Sequence, residues 1–368
     1  MSETTKTDVA VERLEVSAYT VPTDSPESDG TFEWDSTTMV LVEASGGGKK
    51  GLGYTYGDVS VGKMIESKFV GLVEGTDALS PPAAWASMQS AIRNAGRPGA
   101  AAMAISAVDV ALWDLKARLL DLPLAAVLPR FHSAVPVYGS GGFTSYSLER
   151  LREQLGGWAK EGIPRVKMKV GRDPKSDPER IRAVREAIGD DVELMVDGNG
   201  AYTRKGALFW AERFAEFGVA WFEEPVTSED LEGLRLLRDR GPGGMAIAAG
   251  EYNWNLTYAN GLLEAEAVDV LQADVTRCSG ITDLLRIDGL CKARNVPFSG
   301  HCAPQIHAHA CSAMETLVHL EYFHDHARLE NMLFDGVLKP EGGHLRPDPS
   351  RPGLGIELKR AVAQRYAA

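Results

Sequence analysis

The fold of this chain is decided by four runs, RVKMKV at 165–170, VELMVD at 192–197, VAWFE at 219–223 and MAIAAGE at 245–251. Each run is strand-like and contains a charged residue at its carboxyl end, namely Lys169, Asp197, Glu223 and Glu251. These residues are spaced by 28, 26 and 28 positions. A strand, a helix and two loops of a βα barrel take about that much chain, and catalytic groups in such barrels lie at the carboxyl ends of the strands. The runs therefore predict a parallel barrel with ionisable groups gathered at one end.

The same periodicity extends along the chain from Val135. Strand runs are predicted at 135–138, 164–169, 192–197, 219–223, 245–251, 268–274, 296–301 and 317–321. Amphipathic segments such as 147–160, 177–188, 204–217 and 281–294 lie between them. Eight strand–helix units are typical of a closed barrel. Before the barrel, strands at 11–22, 37–44 and 51–56 and two helical segments predict a small α+β domain that ends near Pro129.

Composition narrows the class of function. The 39 basic and 51 acidic residues give a net charge of −12, and the sequence has no dense basic run, so a nucleic acid or an anionic membrane is not an expected partner. A small anionic substrate is still allowed because a local pair of lysines can set the field of a pocket. The polar N-terminus and the absence of an apolar run of about 18 residues predict a soluble cytoplasmic enzyme without a membrane span. Its four cysteines are accordingly expected to be reduced thiols.

Three carboxylates stand at successive predicted strand ends, at Asp197, Glu223 and Glu251. Because the strand ends of a closed barrel converge, these groups are expected to lie close together and to require a cation. Oxygen ligands with room for water and substrate favour Mg²⁺ over Zn²⁺. The alternative is that each is an ordinary solvent-facing loop acid, but three at barrel spacing favour the metal site.

Two lysines and a possible histidine dyad complete the pattern. Lys167 and Lys169 share one face of their strand, and a lysine beside a divalent cation and a second ammonium is expected to have a lowered pKa, as a general base requires. Asp274 and His301 end two later strands, so the aspartate could orient the imidazole; Glu321 ends the last one. The alternatives are an amphipathic strand for the lysines and a structural role for His301.

Several other features have simpler interpretations. Cys302, His307, His309 and Cys311 could suggest zinc, but their spacing matches no usual zinc motif and the segment is predicted to be the helix after the seventh strand. The polar loop 23–35 suits a mobile flap over a site, although an ordinary surface hairpin is favoured. The GGGKK run at 46–50 lacks the ending of a phosphate loop and is typical of a hairpin turn. His324 and His326 could reach a substrate, with a solvated loop as the equal alternative.

These residues together resemble the enolase superfamily, specifically its mandelate racemase subgroup. The similarity lies in the motifs KMK (167–169), DGN (197–199), EEP (223–225) and GE (250–251), in Asp274, His301 and Glu321, and in the helical segment SAVDVALWDLK (106–116). The resemblance implies a (β/α)₇β modified TIM barrel at 131–340. It also implies an α+β capping domain at 1–130, with lid loops near 20–35 and 54–60, and a tail at 341–368 that returns to that domain.

The resemblance also implies the roles of the site residues. It implies one Mg²⁺ per subunit, held by Asp197, Glu223 and Glu251, with Lys169 as one base and the Asp274–His301 dyad as the second acid/base. Lys167 and Glu321 are expected to act on the substrate carboxylate. The other expected substrate contacts are Asn199 and the lid residues Trp34 and Tyr54.

The shared step of this superfamily is removal of a proton alpha to a carboxylate, with the resulting enolate stabilised electrostatically. A sugar-acid (aldonate or aldarate) dehydratase that forms a 2-keto-3-deoxy acid is the first expectation. A racemase or epimerase of a 2-hydroxy acid, using Lys169 and His301 on opposite faces, is the alternative. An inactive binding protein is the remote alternative, disfavoured because every acid/base and metal position is filled. A symmetric homo-oligomer is also implied.

Overall fold

The computed structural model describes residues 9–368; the first eight residues, including the polar N-terminus interpreted above, lie outside the described residues. The chain begins with an antiparallel sheet of three strands in the order β1-β2-β3, which are Arg13–Ser28, Glu33–Gly46 and Lys49–Tyr56. The first two strands are longer than predicted. Residues 23–28 and 33–35 lie in these two strands, which continue as a hairpin through the pairs Glu27–Trp34 and Ser28–Glu33 after an irregularity between Pro22 and Glu27. The favoured hairpin interpretation therefore describes the backbone of the segment 23–35.

Short helices and one long helix follow this sheet. They are α1 Ser60–Met64, a π-helical turn at Ile65–Phe69, α2 Val70–Val73, α3 Pro81–Ala91, α4 Ala100–Leu119 and α5 Leu124–Val127. Of these, α1, α2 and α4 pack directly against the sheet. Two glycines of β3 allow α4 to lie directly against the sheet. A Cβ at Gly51 would be 2.3 Å from the carbonyl oxygen of Ala111, and one at Gly53 would be 2.2 Å from that of Ala107. Only glycine fits at such a close approach of two backbones.

The barrel consists of eight parallel strands and is closed by pairing of the last strand with the first. Its strands are β4 Val135–Gly141, β5 Arg165–Lys169, β6 Glu193–Asp197, β7 Val219–Glu223, β8 Ala246–Ala249, β9 Val270–Ala273, β10 Phe298–Gly300 and β11 Leu317–Phe323. Its helices are α6 Leu148–Lys160, α7 Asp177–Ile188, α8 Arg204–Ala215, α9 Leu231–Arg240, α10 Leu256–Glu264, α11 Ile281–Arg294, α12 Pro304–Ala310 and α13 His324–Leu333. A 3₁₀ turn at Cys311–Ala313 follows α12. The predicted barrel is confirmed.

Strand register brings the predicted charged residues together. Lys169 pairs with Asp197, and Asp197 pairs in turn with Glu223, so the three ends lie side by side around the rim. Glu251 follows two residues after the end of β8. The spacing of these residues along the chain has therefore become proximity in space.

The tail packs against the capping domain. It contains β12 Phe334–Asp335, β13 His344–Leu345, β14 Glu357–Leu358, α14 Arg360–Ala363 and a 3₁₀ turn at Gln364–Tyr366. Arg360 pairs with Glu43 of β2, and the backbone N–H of Ala368 donates to the carbonyl of Ala18 in β1 at 3.0 Å. Within residues 9–368, no helix has both the length and the apolar character needed to cross a membrane.

Candidate active site

Three buried carboxylates form the base of the site. Asp197, Glu223 and Glu251 each offer an oxygen, and these oxygens lie within 4.8 Å of one another. Their exposed fractions are 0%, 0% and 4%. Burial, together with the charge of Asp197, raises the pKa of Glu223 to about 8 against the opposing effect of Lys167. Close, buried like charges of this kind are stable when a cation binds them, and an all-oxygen set matches the preference of Mg²⁺.

The neighbouring Glu224 adds to this fit. Its side chain is buried, and its Oε1 has no hydrogen-bond partner among residues 9–368. Burial and the charges of Glu251 and Asp197 raise the pKa of Glu224 well above its usual value. The local field is thus strongly negative, which favours a divalent cation at this position.

The two lysines lie directly against these acids. Lys167 Nζ is 2.5 Å from Glu223 Oε1 and 2.8 Å from Glu321 Oε1. Lys169 Nζ is 2.6 Å from Asp197 Oδ2. Burial favours a lower pKa for Lys169, but the carboxylates, with Asp197 first, outweigh it and the pKa is raised. The protein's own groups therefore do not produce the lowered pKa that the sequence predicted for the base. A lowered pKa of Lys169 would require the positive charge of a cation bound at the acids.

The predicted dyad is assembled. His301 Nδ1 is 2.9 Å from Asp274 Oδ2, and the other oxygen of Asp274 accepts from the backbone N–H and the hydroxyl of Thr276. These bonds fix the imidazole so that its Nε2 faces Glu251 Oε2 at 3.4 Å and Glu321 Oε2 at 3.5 Å. Burial opposes a charge on His301, but Cys302, the two glutamates and the bond to Asp274 raise its pKa well above the usual value.

A cavity of about 700 Å³ lies over these groups. The barrel contributes Lys169, Asn199, Glu251, His301 and Glu321 to its lining. The capping domain contributes residues from both predicted lid segments, namely 29 and 31–35 of the hairpin and 56–58 at the end of β3. Asn199 Oδ1 is buried and has no hydrogen-bond partner in the described part of the chain. The cavity is therefore lined by an ammonium group, an imidazole and carboxylates that one ligand could contact together.

Two of the expected substrate contacts lie elsewhere. Tyr54 is wholly buried, and its hydroxyl donates to Glu330 Oε1 at 2.7 Å while its ring stacks on Phe334. It shares a strand face with Tyr56, but only Tyr56, two residues nearer the strand end, reaches the cavity. The expectation for Tyr54 is corrected accordingly. Lys167 is also wholly buried and lies outside the lining, bound to Glu223 and Glu321, so its contact with a substrate carboxylate stays a prediction.

Sequence reasoning missed several residues that line the cavity. Arg277 Nη1 is 3.3 Å from Glu251 Oε1, and its position three residues after Asp274 could have indicated it. Cys302 Sγ is 3.3 Å from both His301 Nε2 and Glu321 Oε2. No spacing pattern in the sequence indicates Cys302 as a lining residue. Of the two histidines that the sequence suggested could reach a substrate, His326 lines the cavity and stacks on Tyr56 with ring centroids 3.4 Å apart, whereas His324 is not a lining residue.

The zinc alternative remains disfavoured. His307 is occupied by the carbonyl of Cys302 at 2.8 Å and by the backbone N–H of Val275 at 3.1 Å. His309 accepts from the backbone N–H of Ala125 at 3.3 Å. Both histidines belong to α12, the helix predicted after the seventh strand.

Comparison with known families identifies the chain. Residues 15–128 match the family model described as the mandelate racemase / muconate lactonizing enzyme N-terminal domain, and residues 150–362 match the one described as enolase C-terminal domain-like. This chain belongs to the enolase superfamily, in its mandelate racemase group. The match covers both the capping domain and the barrel.

Characterised relatives act on sugar acids. A 3,6-anhydro-alpha-L-galactonate cycloisomerase from Streptomyces coelicolor is 32% identical, with 95% of this chain and 97% of the relative aligned. An L-talarate/galactarate dehydratase from Salmonella typhimurium is 30% identical, with 95% and 89% aligned. This chain is thus similar to dehydratases and cycloisomerases of sugar acids.

Solved structures agree on fold and cofactor. A mandelate racemase/muconate lactonizing enzyme-like protein from Rubrobacter xylanophilus is 73% identical, with a TM-score of 0.96 and 98% of this chain and 100% of that chain covered. A racemase from Streptomyces coelicolor with bound magnesium is 30% identical, with a TM-score of 0.91 and coverage of 97% and 100%. The cofactor of this protein is Mg²⁺, as in its superfamily. The cluster of Asp197, Glu223 and Glu251 fits a site for that ion.

Proposed function

We propose that this protein is a Mg²⁺-dependent dehydratase of a sugar acid, an aldonate or an aldarate, that forms a 2-keto-3-deoxy acid. The observation that carries the proposal is the placement of Lys169 and the Asp274–His301 dyad around one cavity beside the three carboxylates. The dehydratase relatives support the substrate class. A small anionic carboxylate is thus the proposed partner. Cytoplasmic location and homo-oligomeric assembly stay predictions from the sequence.

Each residue has a defined task in this reaction. Lys169 Nζ removes the proton alpha to the carboxylate, and Lys167 and Glu321 bind that carboxylate as it becomes an enolate. When bound at the three acids, Mg²⁺ supplies positive charge that offsets their repulsion and stabilises the enolate. Asn199 Oδ1 and Trp34 are the proposed contacts to the rest of the substrate.

His301 completes the elimination. Its Nδ1 is held by Asp274, so Nε2 is the atom that meets the substrate. The bond between the beta carbon and its hydroxyl breaks with the electron pair on oxygen, and the Nε2 proton converts the departing hydroxide to water. The resulting enol then tautomerises to the keto acid. Dehydration therefore needs both Lys169 and His301, whereas exchange of the alpha proton needs only Lys169.

Cycloisomerisation of a sugar acid is the second candidate, favoured by the name of the 32% identical relative. It would share the removal of the alpha proton. The difference is that the departing oxygen would belong to a ring, so that the ring opens and no water is lost. The racemase alternative is not favoured by the characterised relatives.

The test is product analysis with purified protein, Mg²⁺ and a library of mono- and diacid sugars, their lactones and their anhydro forms. Semicarbazide traps a keto acid, while NMR in D₂O follows exchange of the alpha proton. We expect Lys169→Ala to abolish both signals, and His301→Asn to abolish dehydration while exchange persists. Unchanged dehydration in His301→Asn would refute the role of His301. If the protein shows no turnover and no alpha-proton exchange with any compound of the library, the enzymatic proposal is refuted and a binding protein is favoured.

A further inference from the structure

A second cluster of metal-ligand side chains lies between the lid hairpin and the barrel. Asp24 and Glu27 belong to β1, and His324 begins α13. Each offers one ligand atom, and these atoms lie within 4.8 Å of one another. His324 Nε2 is 3.0 Å from Asp24 Oδ2. For bonds of about 2.0–2.1 Å, two ligands at octahedral or tetrahedral angles are roughly 2.9–3.4 Å apart, so this spacing suits two ligands of one ion.

The deepest member of the cluster has unused bonding capacity. Glu27 is 1% exposed. Its Oε2 accepts from the indole N–H of Trp34 at 2.8 Å, whereas its Oε1 has no hydrogen-bond partner among residues 9–368. A buried carboxylate oxygen without a partner costs folding free energy unless a cation or another donor reaches it.

The surroundings are polar. The Ser25 hydroxyl interacts with that of Tyr146, so Glu27 Oε1 is the atom of this region whose bonding capacity is unused within the described part of the chain. Tyr146 lies beside the cluster, since Arg150 is 5.4 Å from its ring centroid and 3.6 Å from Asp24. Two cations compete with a metal ion here. Arg150 is partly exposed and binds Asp24 and Glu153, and Arg328 binds Asp325 and the carbonyl of Pro22. Neither is a hydrogen-bond partner of the free Glu27 oxygen among residues 9–368.

We propose that Asp24, Glu27 and His324 bind a first-row divalent transition metal, with Zn²⁺ as its representative, and that this ion ties the lid hairpin to the barrel. Two carboxylates and one imidazole match the ligand preference of such ions, whereas Mg²⁺ prefers oxygen alone. The site is distinct from the three acids at the barrel mouth. It adjoins the active-site cavity, because the flanking residues Phe323 and Asp325 line that cavity.

The consequence is a metal-dependent restraint on the lid. The ligands in β1 lie just before the turn that presents residues 29–34 to the cavity. Other bonds already hold this hairpin, including Ser28 Oγ to Thr144 Oγ1 at 2.6 Å and Arg328 Nη2 to the carbonyl of Pro22 at 2.8 Å. Loss of the ion is therefore expected to loosen the lid without unfolding the protein.

The experiment counts bound Zn²⁺ by calorimetry and elemental analysis in an Asp197→Asn background, which weakens the barrel-mouth site. We expect one Zn²⁺ per chain in that background. We expect at least tenfold weaker binding after addition of His324→Ala or Glu27→Gln, and no change after addition of His344→Ala, a histidine outside the cluster. Circular dichroism confirms that each variant is folded.

A second measurement locates the ion independently of catalysis. Hydrogen exchange of residues 24–34 should be slowed by Zn²⁺ in the Asp197→Asn protein and unaffected in the Asp197→Asn/His324→Ala protein. The proposal is overturned if removal of His324 or Glu27 leaves Zn²⁺ stoichiometry and affinity unchanged. It is equally overturned if Zn²⁺ binds but the lid exchanges at the same rate.

Discussion

Replacing Tyr54 with Phe distinguishes a substrate contact from a structural one. The Tyr54 hydroxyl donates to Glu330 Oε1 at 2.7 Å in a wholly buried position. Burial raises the pKa of Glu330 to about 8, so at pH 6 the bond joins two neutral groups, and at pH 9 its acceptor is charged. A net contribution of about 1 kcal/mol is expected for the neutral bond and roughly 1.5–3 kcal/mol for the charged one. The free energy of unfolding should therefore fall by these amounts at the two pH values.

The assay is urea unfolding at pH 6 and pH 9, combined with steady-state kinetics on whichever sugar acid proves active. Tyr56→Phe is the matched control. Its hydroxyl is 3.4 Å from the same Glu330 oxygen, and its ring lines the cavity. That variant should lose less stability and change KM more. A rise in KM for Tyr54→Phe with unchanged stability would refute the structural role and restore the substrate contact expected from the sequence.

Three further variants test the groups packed beneath the cavity and in α11. Between pH 4.5 and about 8, folded Glu330 keeps a proton that the unfolded chain releases, so its contribution to the free energy of unfolding falls by about 1.4 kcal/mol per pH unit as pH rises. Glu330→Gln should remove this contribution to the pH dependence. An unchanged pH dependence in denaturant titrations would contradict the assignment. Gly280 has φ +90°, and a Cβ there would be 2.4 Å from Asp109 Oδ2, the oxygen that accepts from the backbone N–H of Thr282. Gly280→Ala should therefore lower the free energy of unfolding by roughly 3 kcal/mol, measured by thermal or urea unfolding. Gly289→Ala, within α11 and with nothing within 4 Å, should instead stabilise by about 0.5–1 kcal/mol, and equal effects of the two changes would exclude the steric explanation.

The barrel could be predicted because its topology converts sequence spacing into spatial neighbourhood. Residues one unit apart end adjacent strands, so Lys169, Asp197 and Glu223 are neighbours by register. The dyad follows the same logic, since Asp274 and His301 come directly after the adjacent strands β9 and β10. The residue types then predicted a cation site, because buried carboxylates that lie close together require a cation in any fold.

The capping hairpin was only partly predictable for a physical reason. Its extension beyond Pro22 and before Thr37 is a two-stranded ribbon with many polar side chains, so apolar alternation gives no signal there. Local bonds hold it instead, such as the indole N–H of Trp34 to Glu27 Oε2 at 2.8 Å and the backbone N–H of Asp29 to the carbonyl of Phe32 at 3.0 Å. Such pairs cannot be deduced from a pattern of hydrophobic residues.

The same contrast explains why the reaction class is easier to infer than the substrate. Groups that act on the alpha carbon come from strand ends, whose order is fixed by the barrel. Groups that would meet the rest of a sugar acid lie on the hairpin and on α13, such as Thr37 and Asp325, which bond to each other, line the cavity and are 288 residues apart in sequence. No periodic relation links these positions. If the proposed mechanism holds, selectivity among sugar acids is to be sought in variants of the lid and of α13, since substitutions at the strand ends would remove the groups assigned to the reaction itself.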